Sequence, residues 1–120
     1  MTTAERFPDL PAWVSGFPGA LTVTDADGTL LYLNDKAART FEAQGGRDLV
    51  GTDLMACHNE RSRAIIRRLL ETGASNTYTI EKKGVKKLIH QAPWVQDGKI
   101  AGLIEVSIEI PGELPHFVRG

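Results

Sequence analysis

Between residues 104 and 110 the chain alternates without a break. Ile104, Val106, Ile108 and Ile110 fall on one parity, and Glu105, Ser107 and Glu109 on the other. Side chains along a strand point to opposite faces in turn, so this stretch predicts a strand with two unlike sides. Upstream lies Asp97-Gly98, a two-residue hairpin signal, because glycine accepts positive φ at little steric cost. Counting outward from that turn pairs Val95 with Ile100, Gln91 with Ile104 and His90 with Glu105. The aliphatic parity is expected to be the buried side, with Ile104 facing inward. Leu88, His90, Ala92 and Trp94 are then expected on the opposite, outer side.

A second hairpin is expected at the start of the chain. Ala20 to Thr24 reads as a strand, Asp27-Gly28 as its turn, and Thr29 to Leu33 as the returning strand. Asn34 and Asp35 are helix-capping types, with Ala37, Ala38 and Phe41 at helical spacing behind them and Gly45-Gly46 as the stop. Asp48 to Ala56 reads as irregular, with short helical turns. The clearest helix runs from Asn59 to Thr72. Ser62, Ile65, Ile66, Leu69 and Leu70 make its inward stripe, Arg61, Arg63, Arg67, Arg68 and Glu71 lie opposite, and Gly73 sits at its end. Thr77 to Lys82 leads through Lys83-Gly84 into Val85 to Val95.

Hairpins at both ends require an antiparallel sheet with the helices segregated to one side. The expected class is therefore α+β, a five-stranded antiparallel sheet with helices on one face. Residues 18–110 form the domain, 111–120 a tail, and 1–17 a lead-in where Asp9 could cap a short helix carrying Leu10, Trp13 and Val14.

Composition narrows the function classes. The chain of 120 residues carries 14 basic and 15 acidic side chains. That balance removes the electrostatic case for binding nucleic acid or a charged membrane surface. A single cysteine cannot form an internal disulfide, no basic-then-apolar leader is visible, and no apolar run approaches the ~20 residues of a membrane span. A cytoplasmic protein is expected.

The order of elements resembles the PAS fold, and several segments carry the likeness. Pro18 to Gly28 resembles the opening PAS hairpin, with Tyr32-Leu33-Asn34 leading into the first helix. Asp48-Leu49-Val50-Gly51 resembles the segment after that helix, and Gly98 to Leu103 the turn into the final strand. Cys57-His58, ahead of the long helix, is similar to a cysteine-histidine pair in some bacterial and archaeal PAS proteins, including ones joined to hemerythrin-like domains. The resemblance implies a sensory role: a small-molecule ligand held between sheet and helices, and a signal passed on by a homodimer or a separate signalling protein. The chain stops within ten residues of Ile110, so no attached kinase, cyclase or DNA-binding domain is expected.

Cys57, His58, Tyr78 and Ile104 are the expected ligand-facing residues. PAS proteins that bind haem hold it in the same space, so His58 as imidazole, or Cys57 as thiolate, are candidate iron ligands. The plainer reading is that His58 packs beside the helix start and Cys57 is a small buried hydrophobe. Zinc is not expected, since one cysteine and three scattered histidines do not supply four spaced ligands. Flavin-adduct photochemistry lacks its cysteine motif. A reactive Cys57 at a helix N-terminus would make a thiol enzyme, but no base, paired carboxylates or oxyanion loop accompanies it, and no enzyme activity is expected. Trp13, Leu88, His90 and Trp94 are the expected partner or dimer face.

Overall fold

The computed structural model describes Phe7 and residues 10–120, with the Cys57 side chain outside that description. Strands β1 (Ala20–Thr24), β2 (Leu30–Leu33), β3 (Asn76–Lys82), β4 (Val85–Gln96) and β5 (Lys99–Ile110) form one sheet, in the order β2-β1-β5-β4-β3. Every neighbouring pair is antiparallel. The two terminal hairpins thus share one layer, as expected, because β5 lies between β1 and β4. The chain must cross from edge β2 to edge β3, and helical segments make the crossing. They are α2 (Asp35–Thr40), three single 3-10 turns (Glu42–Gln44, Gly46–Leu49, Leu54–Cys57) and α3 (Glu60–Thr72); a short α1 (Ala12–Gly16) precedes the sheet. Asp9, expected to cap α1, lies outside the described residues.

Local chemistry explains the boundaries. The β3–β4 and β4–β5 turns hold both central residues at positive φ, Lys83 at 52° with Gly84 at 78°, and Asp97 at 53° with Gly98 at 77°. These are the mirror-image turns whose twist matches the flanking strands. The first hairpin is built differently. Asp25 Oδ1 accepts from the N–H groups of Asp27 and Thr29 at 2.9 and 3.0 Å, so the aspartate side chain organises a longer loop. Asn34 and Asn59 cap α2 and α3, the latter accepting from Ser62 N at 2.9 Å. Gly73, in the left-handed region, ends α3.

The core lies between the sheet and the helices. Ala20, Leu30, Leu33 and Ala37 form one buried cluster, and Ile66, Leu69 and Leu103 the other. Burying side chains such as Ile66 and Leu69 stabilises by about 1.5–3 kcal/mol each. On α3 the half-buried Arg63 and the exposed Arg67 share Glu60 at 3.1 and 3.3 Å.

One register detail reverses an expectation. Val95 faces Ile100 as counted, but a bulge between Trp94 and Val95 sets Trp94 against Gly102. Beyond it every pair slips by one: Gln91 faces Glu105, and His90 faces Val106 rather than Glu105. Leu103 packs on α3, so Glu105 and Ser107 share its helix-facing side with Ile89 and Gln91. Ile104, Val106, Ile108 and Ile110 turn to the outer side, alongside Leu88, His90, Ala92 and Trp94. Ile104 therefore does not face the space under the helices.

The aliphatic outer side has a cover of its own. The Phe7 ring meets Tyr32 and Trp94 edge-on, with centroids 6.4 and 6.3 Å away. A Cβ at Gly19 would come within 2.6 Å of the Phe17 ring and 2.7 Å of Ile108, so Phe17 and Ile108 close over that glycine. With apolar cover on part of the outer side as well, apolar parity alone does not identify the helix-facing side.

Candidate functional site

The stretch before α3 is strapped to the first hairpin. Leu30 N donates to Thr52 O at 2.9 Å, Gly51 N to Leu30 O at 2.8 Å, and Leu54 N to Gly28 O at 2.9 Å. Asp53 then caps the last 3-10 turn through Met55 N. This strap fixes His58, which is extended (φ −108°, ψ 147°) and precedes the Asn59 cap. His58 is thus not a backward extension of the helix, yet it still lines the space beneath it. Its Nδ1 lies 2.6 Å from Leu54 O. A carbonyl oxygen only accepts, so Nδ1 carries a proton, and in the neutral form of the ring the lone pair is on Nε2.

Three adjoining cavities of about 460, 240 and 170 Å³ share Glu105 and together make one hollow. The largest runs from His58, Ser62, Ile65 and Ile66 down to Asn76, Tyr78, Gln91 and Glu105. The second reaches Leu30, Phe41, Leu49 and Leu54, and the third Ala20, Ile80 and Ile89. Its floor is polar. Asn76 Nδ2 donates to Gln91 Oε1 at 3.1 Å, and Gln91 Nε2 donates to Glu105 Oε2 at 2.9 Å. The carboxylate only accepts, so it turns the Gln91 amide, which in turn orients Asn76.

Of the expected ligand-facing residues, His58 and Tyr78 line this hollow. Tyr78 sits at its rim, 41% exposed; burial first, and the charge of Glu105 second, push its phenol pKa up. Ile104 lies on the other side of the sheet. The Cys57 side chain is outside the description, and its backbone ends a 3-10 turn. The helix N-terminus that would activate a thiol belongs to Asn59. Asn76, Gln91 and Glu105 were not anticipated. Their signal was the shared parity of Gln91 and Glu105 on paired strands, hidden by the register slip.

The expected partner face is also revised. Trp94 is half-buried under Phe7, and its Nε1 donates to Thr24 O at 2.9 Å. Trp13 is 75% exposed on α1, and Phe7, not Trp13, covers the Trp94 end of the outer face. Leu88 and exposed His90 remain on that face, His90 Nδ1 lying 2.7 Å from Thr77 Oγ1.

His58 is the residue that would hold a haem iron here. A porphyrin needs apolar surroundings, however, and the floor here is the Glu105 carboxylate, bonded by Gln91, which Asn76 holds in turn. A charged floor of this kind does not fit the macrocycle. Among the described residues no group of three His, Cys, Asp or Glu side chains is placed to hold a metal ion, and no helix is long and apolar enough to cross a membrane.

A family model described as the PAS fold matches residues 14–111. The chain belongs to the PAS family. No curated protein matches it. Solved structures share the fold at low identity. Vibrio cholerae VqmA, a dimer solved without its target DNA, aligns at 18% identity and a TM-score of 0.68 over 84% of this chain and 51% of that one. VqmA bound to DPO gives the same identity and score, over 84% and 56%. This PAS chain thus spans about half the length of the VqmA chains it matches. The Vibrio cholerae Aer2 receptor, a dual PAS-haem oxygen sensor, aligns at 17% and 0.60 over 78% and 95%. The PAS domain of histidine kinase ThkA aligns at 18% and 0.61 over 74% and 96%.

Proposed function

We propose that this PAS domain is a sensory module that takes a small organic molecule into the hollow beneath α3. Its occupancy alters how the outer sheet face meets a second copy or a separate signalling protein. The observation that carries this reading is the polar floor. A carboxylate backed by Gln91 and Asn76 weakens a purely structural core, whereas a few polar groups in an apolar pocket orient a ligand. The cavity beneath α3, about 460 Å³, is within the range of small-molecule sites. Two structural neighbours support the class: one is VqmA bound to DPO, the other an oxygen sensor holding haem.

The route outward is short. Ile104 and Val106 flank Glu105 on β5 and point to the other side of the same sheet, so a shift of the floor moves the outer face with it. The role is binding rather than catalysis, and the lone cysteine fits a reducing cytoplasm.

Native mass spectrometry of the purified protein, with an absorption spectrum after growth with iron and a haem precursor, tests the reading. The expected result is an adduct of small organic mass that is lost in Ile66→Trp, which fills the hollow, with no Soret band. A Soret band lost in His58→Ala would replace the reading with haem sensing. A filled core that takes up no adduct and no member of a metabolite library would leave a ligand-free interaction module.

A further inference from the structure

We infer that the hollow selects a small organic cation, an amine or protonated nitrogen base whose N–H groups meet the unoccupied side of the Glu105 carboxylate. The inference rests on the ligand-binding reading above and adds the chemical class.

Glu105 is the one residue common to all three cavities. Its Oε2 accepts from Gln91, and among the described residues it enters no ion pair. A carboxylate can accept at about four sites, so most of its capacity faces the hollow. The basic groups nearby do not neutralise it: Arg61 and Lys87 line opposite ends of the hollow, and Arg61 is exposed. A further acceptor on the lining is His58 Nε2 in the neutral ring, because Nδ1 is committed to Leu54, and the hydroxyls of Ser62 and Tyr78 can accept as well as donate. The hollow therefore presents acceptors at its centre and asks the ligand for donors. Ile65 and Ile66 in one cavity, and Phe41 in the two that adjoin it, give the hydrocarbon part an apolar wall. An anionic ligand would meet Glu105 with like charge in a partly desolvated site.

The test is an amide-resolved NMR titration of the whole chain with three probes of matched size: phenethylamine, phenethyl alcohol and phenylpropionate. The amine is expected to bind at least about tenfold more tightly than the alcohol, with shifts at residues of the hollow. Glu105→Gln, which keeps an oxygen for Gln91, is expected to reduce the amine-to-alcohol preference to within about twofold. Should that variant not fold, the amine-to-alcohol ratio of the native chain decides alone. Equal binding of alcohol or acid, or an undiminished preference in Glu105→Gln, overturns the cation class while leaving ligand binding intact. No shift in the hollow with any probe overturns both.

Discussion

The indole nitrogen of Trp94 donates to the carbonyl oxygen of Thr24 at 2.9 Å, across the position that faces Gly102 on the next strand. The same threonine binds β5 through its hydroxyl, which lies 3.3 Å from Leu103 N. The end of β1 is thereby drawn over Gly102, where a Cβ would sit 1.8 Å from Thr24 O.

Gly102→Ala is accordingly expected to cost at least about 3 kcal/mol, since backbone on both sides must part. Gly112→Ala, where a Cβ meets nothing within 4 Å, is expected to be neutral. Urea unfolding of the two variants measures the contrast, and equal midpoints would remove the crossing from the account.

Trp94→Phe keeps the ring beneath Phe7 but loses the donor to Thr24. A stability loss of about 1–2 kcal/mol is expected, with no change in the species seen by ultracentrifugation, because the aromatic cover belongs to the same chain. A shift in association state would restore Trp94 to a partner surface.

Asn34 does more than cap α2. Fully buried, it accepts from Leu21 N and Ala37 N at 3.0 Å each and donates to Phe17 O and Gly19 O at 3.2 and 2.8 Å. Aspartate caps helices as well as asparagine, so a role confined to capping predicts that Asn34→Asp is harmless. The four bonds predict a loss of about 2–3 kcal/mol, as two carbonyls lose donors and gain a charge beside them. Thermal unfolding distinguishes the two.

Tyr78 gives a prediction in alkali. Its phenol pKa is raised above the ordinary 10.0, by burial and then by Glu105. A raised folded value contributes stability that is whole below the unfolded pKa and is lost as pH climbs through the folded one. In a Tyr32→Phe background, tyrosinate absorbance is expected to develop above pH 10, and adding Glu105→Gln to bring it lower, though not to the ordinary value. An unmoved midpoint would separate Tyr78 from Glu105.

The strands and the caps were legible because they are local. Asp97-Gly98, Lys83-Gly84, Asn34 and Gly73 each state their own backbone geometry. The sides of the sheet were not legible, since one bulge at Trp94 shifts every later pair and cannot be counted from a turn. The aliphatic parity of β5 misled for a further reason: Phe7 and Phe17 come from a lead-in that no strand pattern requires. His58 was found for a reason the structure replaces, its position coming from the strap on Gly28 and Leu30 rather than from helical periodicity.

The two rims of the sheet are guarded unequally. Beside β2, the backbone of residues 51–53 answers Thr29 and Leu30 and covers the start of that flank. Beside β3, no strand among the described residues takes up the seven residues from Asn76 to Lys82. An open flank of that length is a template for intermolecular strand addition, and Glu81, Lys82 and Lys83 at its far end are the charges that discourage it. Neutralising those side chains would make concentrated solutions of this protein prone to ribbon-like aggregation.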